Sequence, residues 1–356
     1  MNITADNKIL IVVSIFCFVA EVSGFVKENM SKRQIVLLAL SIFYTALLVI
    51  TCGKQGAFFS VLIILGLYGV NQKKKIYVWC YLIGIIFMFI SMYIERNGSI
   101  EMRYFNGKWM SIYKRSNILF VSFFAVICLY LYLQKEKHIQ LWKLSFMWLV
   151  GCAMYHYTGS RTGFLVFNVL IILLLVLRSK KIYQNIFVKF LCINSPIIGF
   201  LISFFMAYFY DKIPILYVIN NMLQGRLRLG QRYLNRYSFK LFGQHIFEDF
   251  SANNFWCLDC AYLDMLLCYG VIFCLIWILL TRSVLKWLYQ KNRYIELATI
   301  VTYAVYGISE TFLPNGFLNV SIFLYAEYLF ATILNKKKGS YYEQNKSDSN
   351  VLTSVP

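Results

Sequence analysis

The chain has 356 residues, 60% of them apolar and 18% aromatic, with only 14% charged and a formal net charge of +19. A water-soluble domain cannot bury that much apolar surface, so the composition excludes the soluble classes and points to an integral membrane protein. Continuous apolar runs replace the period-two alternation of a barrel, which leaves helices as the way to satisfy every backbone group in lipid.

In chain order the runs predict about eleven spans, near residues 9–26, 35–52, 57–71, 76–94, 117–134, 141–158, 163–178, 186–210, 262–281, 295–312 and 316–334. Several sit close to the lower length limit for a bilayer of about 30 Å. The first lacks a basic leading segment and carries Glu21 where a signal peptide has small residues, so it reads as a span rather than a cleaved leader.

Lysine and arginine cluster after the odd-numbered runs: Lys27, Lys32 and Arg33; Lys73–Lys75; Lys135, Lys137 and Lys143; Arg178, Lys180, Lys181 and Lys189; Arg282, Lys286, Lys291 and Arg293; Lys336–Lys338. The short intervals after runs 2, 6 and 10 hold only Lys54, Arg161 and no cation. The positive-inside rule then predicts a multi-pass plasma-membrane protein with its N-terminus outside and its C-terminus in the cytoplasm. The expected organisation is a single membrane domain over residues 1–338, with outer loops at 95–116 and 211–261. A polar, aperiodic tail at 339–356 is expected to be disordered.

The long outer loop carries charge that topology does not require. Arg228, Arg232, Arg236 and Lys240 recur at every fourth residue. On a helix they form one ridge that drifts by about 40° per step. Leu223, Leu227, Leu234, Tyr237 and Leu241 fall opposite. Such a ridge is either an interfacial amphipathic helix with snorkelling side chains or a surface for an anionic substrate. Arginine rather than lysine dominates, which suits bidentate phosphate recognition.

A second feature is the turn at 157–163, Tyr-Thr-Gly-Ser-Arg-Thr-Gly, with His156 beside it. Two glycines around Ser160 and Arg161 permit a tight turn whose amides and hydroxyls join the guanidinium around an anion. The plainer alternative is an interhelical turn with an interfacial anchor. Acidic groups gather near the same boundary: Asp259 and Asp264 at the start of the ninth run, Glu310 near the end of the tenth, and Glu248 and Asp249 after His245. Carboxylates at a membrane boundary are costly and are candidate bases or arginine partners. Glu21 and Glu327 lie deeper and read as structural partners. Cys257 and Cys260 form a CxxC without the second pair of a metal site, so they read as incidental thiols or a simple disulfide.

Several short motifs then line up. Gly-Ser-Arg-Thr-Gly at 159–163 opens an apolar run. Gly225-Arg226-Leu227 and Leu241-Phe242-Gly243-Gln244 lie in the long loop, and Arg232 precedes Gly243 with ten residues between. Leu258-Asp259-Cys260-Ala261-Tyr262-Leu263 and Leu266-Leu267-Cys268-Tyr269-Gly270 follow. Over residues 155–320 this set resembles the bacterial oligosaccharide repeat-unit polymerases (Wzy-type, the O-antigen polymerase group). In the first outer loop only Ser116-Asn117 is similar to an element of that group.

The resemblance implies an all-α, GT-C-like polytopic fold with short amphipathic helices in the long loop. It implies a metal-independent membrane glycosyltransferase without cofactor, acting on undecaprenyl-pyrophosphate-linked oligosaccharides at the outer face. The product would be capsule, exopolysaccharide or O-antigen. A flippase and a chain-length regulator are the expected partners beside the bilayer, and nucleic acid is not one. The leaving diphosphate needs cations where charge develops, and Arg161, Arg226 and Arg232 are the candidates. Arg228, Arg236, Ser160 and Tyr262 support them. His245, Asp259 and Glu310 are the candidates for the acid–base role on the acceptor. A glycan ligase using the same carrier is the nearest alternative. A flippase or other transporter predicts short outer loops and two similar halves.

Overall fold

The computed structural model describes residues 32–66, 73–96, 102–105, 108–111, 118–134, 139–248, 257–316, 318–329 and 331–332. The first expected span, the C-terminal tail, Glu21, Asp249 and Ser116-Asn117 lie outside the described residues.

The apolar runs fold as helices: α1 (Lys32–Cys52), α2 (Gly56–Gly66), α3 (Lys73–Arg96), α4 (Ile118–Leu133), α5 (Leu141–Thr158) and α6 (Arg161–Leu177). They continue with the short α7 (Lys180–Tyr183), then α8 (Ile186–Tyr208), α9 (Ile215–Met222), α10 (Arg226–Arg236), α11 (Ala261–Asp264), α12 (Val271–Gln290) and α13 (Tyr294–Tyr306). Residues 322–329 are again helical. Among the described residues the strands are those of a small antiparallel hairpin, β1 (Met102–Phe105) with β2 (Lys108–Ser111), in register Met102 with Ser111.

Two of these helices, α8 with 23 residues and α12 with 20, are long and apolar enough to cross a membrane, by length and composition. Several shorter helices are equally apolar, among them α4, α6 and α13. Their outward faces present large apolar side chains such as Phe43, Trp79, Phe89, Leu165, Phe187 and Leu279. Apolar surface of this extent is what contact with lipid requires and what water penalises.

The core centres on α4, which is apolar on all sides and correspondingly buried around its whole circumference. Phe124 meets Tyr303 and Tyr306 of α13 edge-on at 5.1 and 5.5 Å. Phe120 and Phe123 do the same with each other at 5.5 Å. Such pairs add about 0.5–1.5 kcal/mol each to the area they bury.

Three expectations are corrected. The ninth run does not form one helix over 262–281: α11 passes into a π turn at Met265–Tyr269, breaks at Gly270 (φ 95°), and restarts as α12, which runs to Gln290. The tenth run ends at Tyr306 rather than 312, and buried turns occupy most of the interval up to 321. Pro314 cannot continue a helix, and the Asn319 side-chain amide donates to the Leu313 carbonyl at 2.8 Å instead. Lastly, Lys240 is not on the arginine helix. Tyr237 ends α10 in an extended conformation, and the segment after it bonds to the start of α12, Val271 N to Lys240 O at 3.0 Å, and to the π turn, Gln244 N to Cys268 O at 2.9 Å.

The loops sort by end. The connection at 53–55, the turn at 159–160, the α8–α11 loop and the turns after α13 meet at one end, as the contacts of Lys54 and Arg226 below show. At the other end the Tyr183 and Tyr289 hydroxyls donate to each other's carbonyls at 3.0 and 3.1 Å. There Arg293 also pairs with Glu296 and with Glu327, both at 2.9 Å, which gives Glu327 its expected structural partner.

Candidate functional site

Gly225, at φ 87°, lets the chain turn into α10, and Arg226 is the first helical residue. Arg226, Gly230, Tyr233 and Tyr237 share the inward face by their spacing. Gly230 permits close approach: a Cβ there would stand 3.0 Å from Leu263 and 3.1 Å from Ala207. Arg226 is thereby carried into the bundle end. Its Nη2 bonds Glu310 Oε1 at 3.0 Å, its Nε lies 3.6 Å from Asp259 Oδ2, and its Nη1 donates to the Ser309 carbonyl. Nη1 also reaches Thr162 Oγ1 at 3.5 Å, in the first turn of α6. Burial alone would lower the Arg226 pKa, but Glu310 and then Asp259 outweigh it and the net shift is upward. This guanidinium is a fixed cation.

Beside this group lies another that sequence reading assigned only to topology. Lys54, in the connection between α1 and α2, bonds Asp264 Oδ1 at 2.8 Å and Glu248 Oε1 at 3.1 Å. Its signal in the sequence is its isolation, as the only charge in that short interval. Cys257 stands between the two groups. Its thiol donates to Asp259 Oδ1 at 3.0 Å, and it feels the charges of Glu248 and Lys54. Burial, then Asp259, raise its pKa, so it stays a thiol. Neither Cys257 nor Cys260 is in a disulfide. Among the described residues, the paired carboxylates of Glu248, Asp259, Asp264 and Glu310 and the cations of Lys54 and Arg226 thus gather at one end of the bundle.

The other predicted residues fall into two sets. Arg161 is exposed at the start of α6, next to Thr162, while Ser160 caps that helix by accepting from Gly163 N at 3.3 Å. Arg228, Arg232 and Arg236 are exposed on the outward side of α10, with Arg236 stacked 5.6 Å from the Phe247 ring. His245 is exposed and leans on Gly53, beside Lys54; a Cβ on that glycine would sit 3.4 Å from the imidazole. His156 is also exposed. Tyr262 is buried, donates to the Ala304 carbonyl at 2.8 Å, and packs against Gly199, so it fastens α11 to α8 and α13. Arg226, Asp259 and Glu310 come together, while Arg232 lies on the opposite side of α10.

The contact between Arg226 and Thr162 also brings the N-termini of α10 and α6 to one place. Helix starts leave amides without intrahelical partners and carry partial positive charge. With Arg161 and Arg228 exposed in those first turns, the rim attracts anions. Beneath it lie the Glu310 and Asp259 carboxylates, groups that can accept hydrogen bonds from hydroxyls.

The second glycine of the turn has a packing reason. A Cβ on Gly163 would lie 2.4 Å from the Phe120 ring, which is fully buried. Gly163→Ala is expected to lower stability by about 1–3 kcal/mol through overpacking. Thermal unfolding in detergent should show this, with Arg161→Ala unchanged in the same measurement.

No protein-family model, curated protein or solved structure matches this chain.

Proposed function

We propose that this chain is a GT-C-type glycosyltransferase of the plasma membrane that polymerises undecaprenyl-pyrophosphate-linked oligosaccharide repeat units into surface polysaccharide. In this reading about eleven spans cross the bilayer and the end bearing Arg226 faces outward. One observation carries the reading: Arg226 joins the Gly-Ser-Arg-Thr-Gly turn to Glu310 and Asp259, uniting motifs from three separate regions of the chain.

The chemistry follows from that arrangement. The donor diphosphate sits against the rim, where Arg161 and the two helix starts offset the charge that develops as it leaves. Arg226 is committed to its carboxylates, so it organises the floor and adds field rather than a free clamp. Arg232 extends the cationic surface that receives the lipid-linked diphosphate. The acceptor sugar meets the carboxylates.

Deleting the gene in its host tests the reading. Loss of a polymerase leaves single repeat units on their carrier. Loss of a ligase leaves long unattached polymer, and loss of a flippase traps the units inside. Arg161→Ala and Arg232→Ala are each expected to reproduce the deletion's gel ladder at normal protein levels. Wild-type chain length in either variant removes that residue from the site.

A further inference from the structure

The four carboxylates at the bundle end are not equivalent. The Glu310 side chain is 12% exposed and tied to Arg226 at 3.0 Å. Asp264 is sealed, with its side chain 2% exposed. Asp259 is 29% exposed, but both of its oxygens are engaged, Oδ1 by the Cys257 thiol and Oδ2 by Arg226. Glu248 combines exposure with a single described ion pair. Its side chain is 24% exposed, and that pair runs through Oε1 to Lys54.

Resting on the polymerase reading, we propose that Glu248 is the base that takes the acceptor's proton and that Lys54 positions it, with Asp264 anchoring the lysine. The three form a chain from the interior outward: a buried carboxylate, an ammonium bonded to it at 2.8 Å, and a partly exposed carboxylate bonded to that ammonium at 3.1 Å. An ammonium held at both ends fixes the carboxylate beyond it, which a long glutamate side chain in a loop does not achieve alone. Lys54 is not the base itself. Burial pulls its pKa down, but Asp264 and then Glu248 outweigh this, and the net shift is upward.

The acceptor hydroxyl oxygen bonds to the anomeric carbon of the donor glycan, and the bond from that carbon to the diphosphate oxygen breaks. The electron pair leaves with the lipid diphosphate, against the cationic rim. The hydroxyl proton passes to Glu248 Oε2 and then to water. Cys257 and Asp259, between Lys54 and Arg226, place the base on the floor beside the rim where the donor sits.

The test replaces the chromosomal gene with variants and reads both the glycan ladder and the amount of protein in the membrane. Glu248→Gln and Lys54→Met are each expected to cut polymer by at least about 100-fold, the lower range for loss of a general base. Single repeat units should accumulate. Lys54→Arg, which keeps a cation between the two acids, should recover polymer to within about tenfold of wild type. Because Lys54→Met strands a buried carboxylate, the double variant Lys54→Met/Asp264→Asn is included to restore folding; it should reach normal levels and remain inactive. Wild-type chain length in Glu248→Gln, an active double variant, or a Lys54→Arg variant as inactive as Lys54→Met overturns the assignment and leaves the polymerase reading standing. A gene deletion that leaves the surface glycan unchanged overturns both.

Discussion

Arg226→Ala is expected to destabilise the protein by about 3–5 kcal/mol, the loss typical when one member of a buried ion pair is removed, and to abolish polymer formation. The Glu310 side chain is 12% exposed and that of Arg226 11%, so water cannot replace the missing guanidinium. The Ser309 carbonyl loses its donor in the same substitution, and Asp259 its nearest cation. Thermal unfolding in detergent micelles measures the stability change, and the glycan ladder measures the activity.

Two companions separate charge from geometry. Arg226→Lys keeps the cation, but one ammonium cannot span Glu310, Asp259, the Ser309 carbonyl and Thr162 together. It should therefore melt between wild type and Arg226→Ala. Arg226→Ala/Glu310→Gln removes the stranded charge and should regain part of the lost stability, with the shortfall from additivity giving the coupling of the pair. Neither companion is expected to restore polymer, because the link between the turn at Thr162 and the acidic floor is gone in both. An Arg226→Ala protein with wild-type melting and wild-type ladders would show that this contact organises nothing.

Charge inside an apolar chain is conspicuous, which is why Arg226, Asp259 and Glu310 stand out from sequence alone. Their meeting does not. Arg226 and Glu310 are 84 residues apart, and Lys54 and Asp264 are 210 apart, so only the packing of α1, α10 and α13 brings them together. Lys54 illustrates the limit. A single cation between two runs carries topological meaning in a sequence, and its partners are set by helices that sequence cannot place. The break at Gly270 is hidden for a different reason. Residues 261–280 are almost continuously apolar, and a π turn followed by a helix has the same composition as one straight span. The inward and outward faces of α10 were partly legible. The four-residue repeat marks Arg228, Arg232 and Arg236 as a face, but it also enrols Lys240, which leaves the helix because the following segment bonds to the π turn.

That segment separates the two ends of the Arg232-to-Gly243 spacing. Gly243 has φ 84° and Gly270 has φ 95°, and the two backbones press together: a Cβ on Gly243 would stand 2.4 Å from the Cys268 carbonyl oxygen, and one on Gly270 would stand 2.4 Å from Gly243 N. Backbone atoms cannot swing aside as side chains do. Gly243→Ala and Gly270→Ala are each expected to cost about 3 kcal/mol or more, combining a left-side φ that L-residues avoid with overpacking. Gln244 N to Cys268 O at 2.9 Å and Ile272 N to Leu241 O at 3.3 Å would be strained with them. These bonds hold the extended segment that delivers His245 and Glu248 to the neighbourhood of Lys54, so the glycine acts on the site through the backbone. Arg232 takes no part in these backbone bonds. The expected result is therefore a split within one motif: the glycine variants lose polymer together with folded protein, visible as lower membrane levels and a lower melting temperature. The arginine variant loses polymer at wild-type levels and melting. Equal protein loss at both ends would mean that Arg232 too is a structural residue, and that the outward face of α10 serves docking to the bilayer rather than the diphosphate.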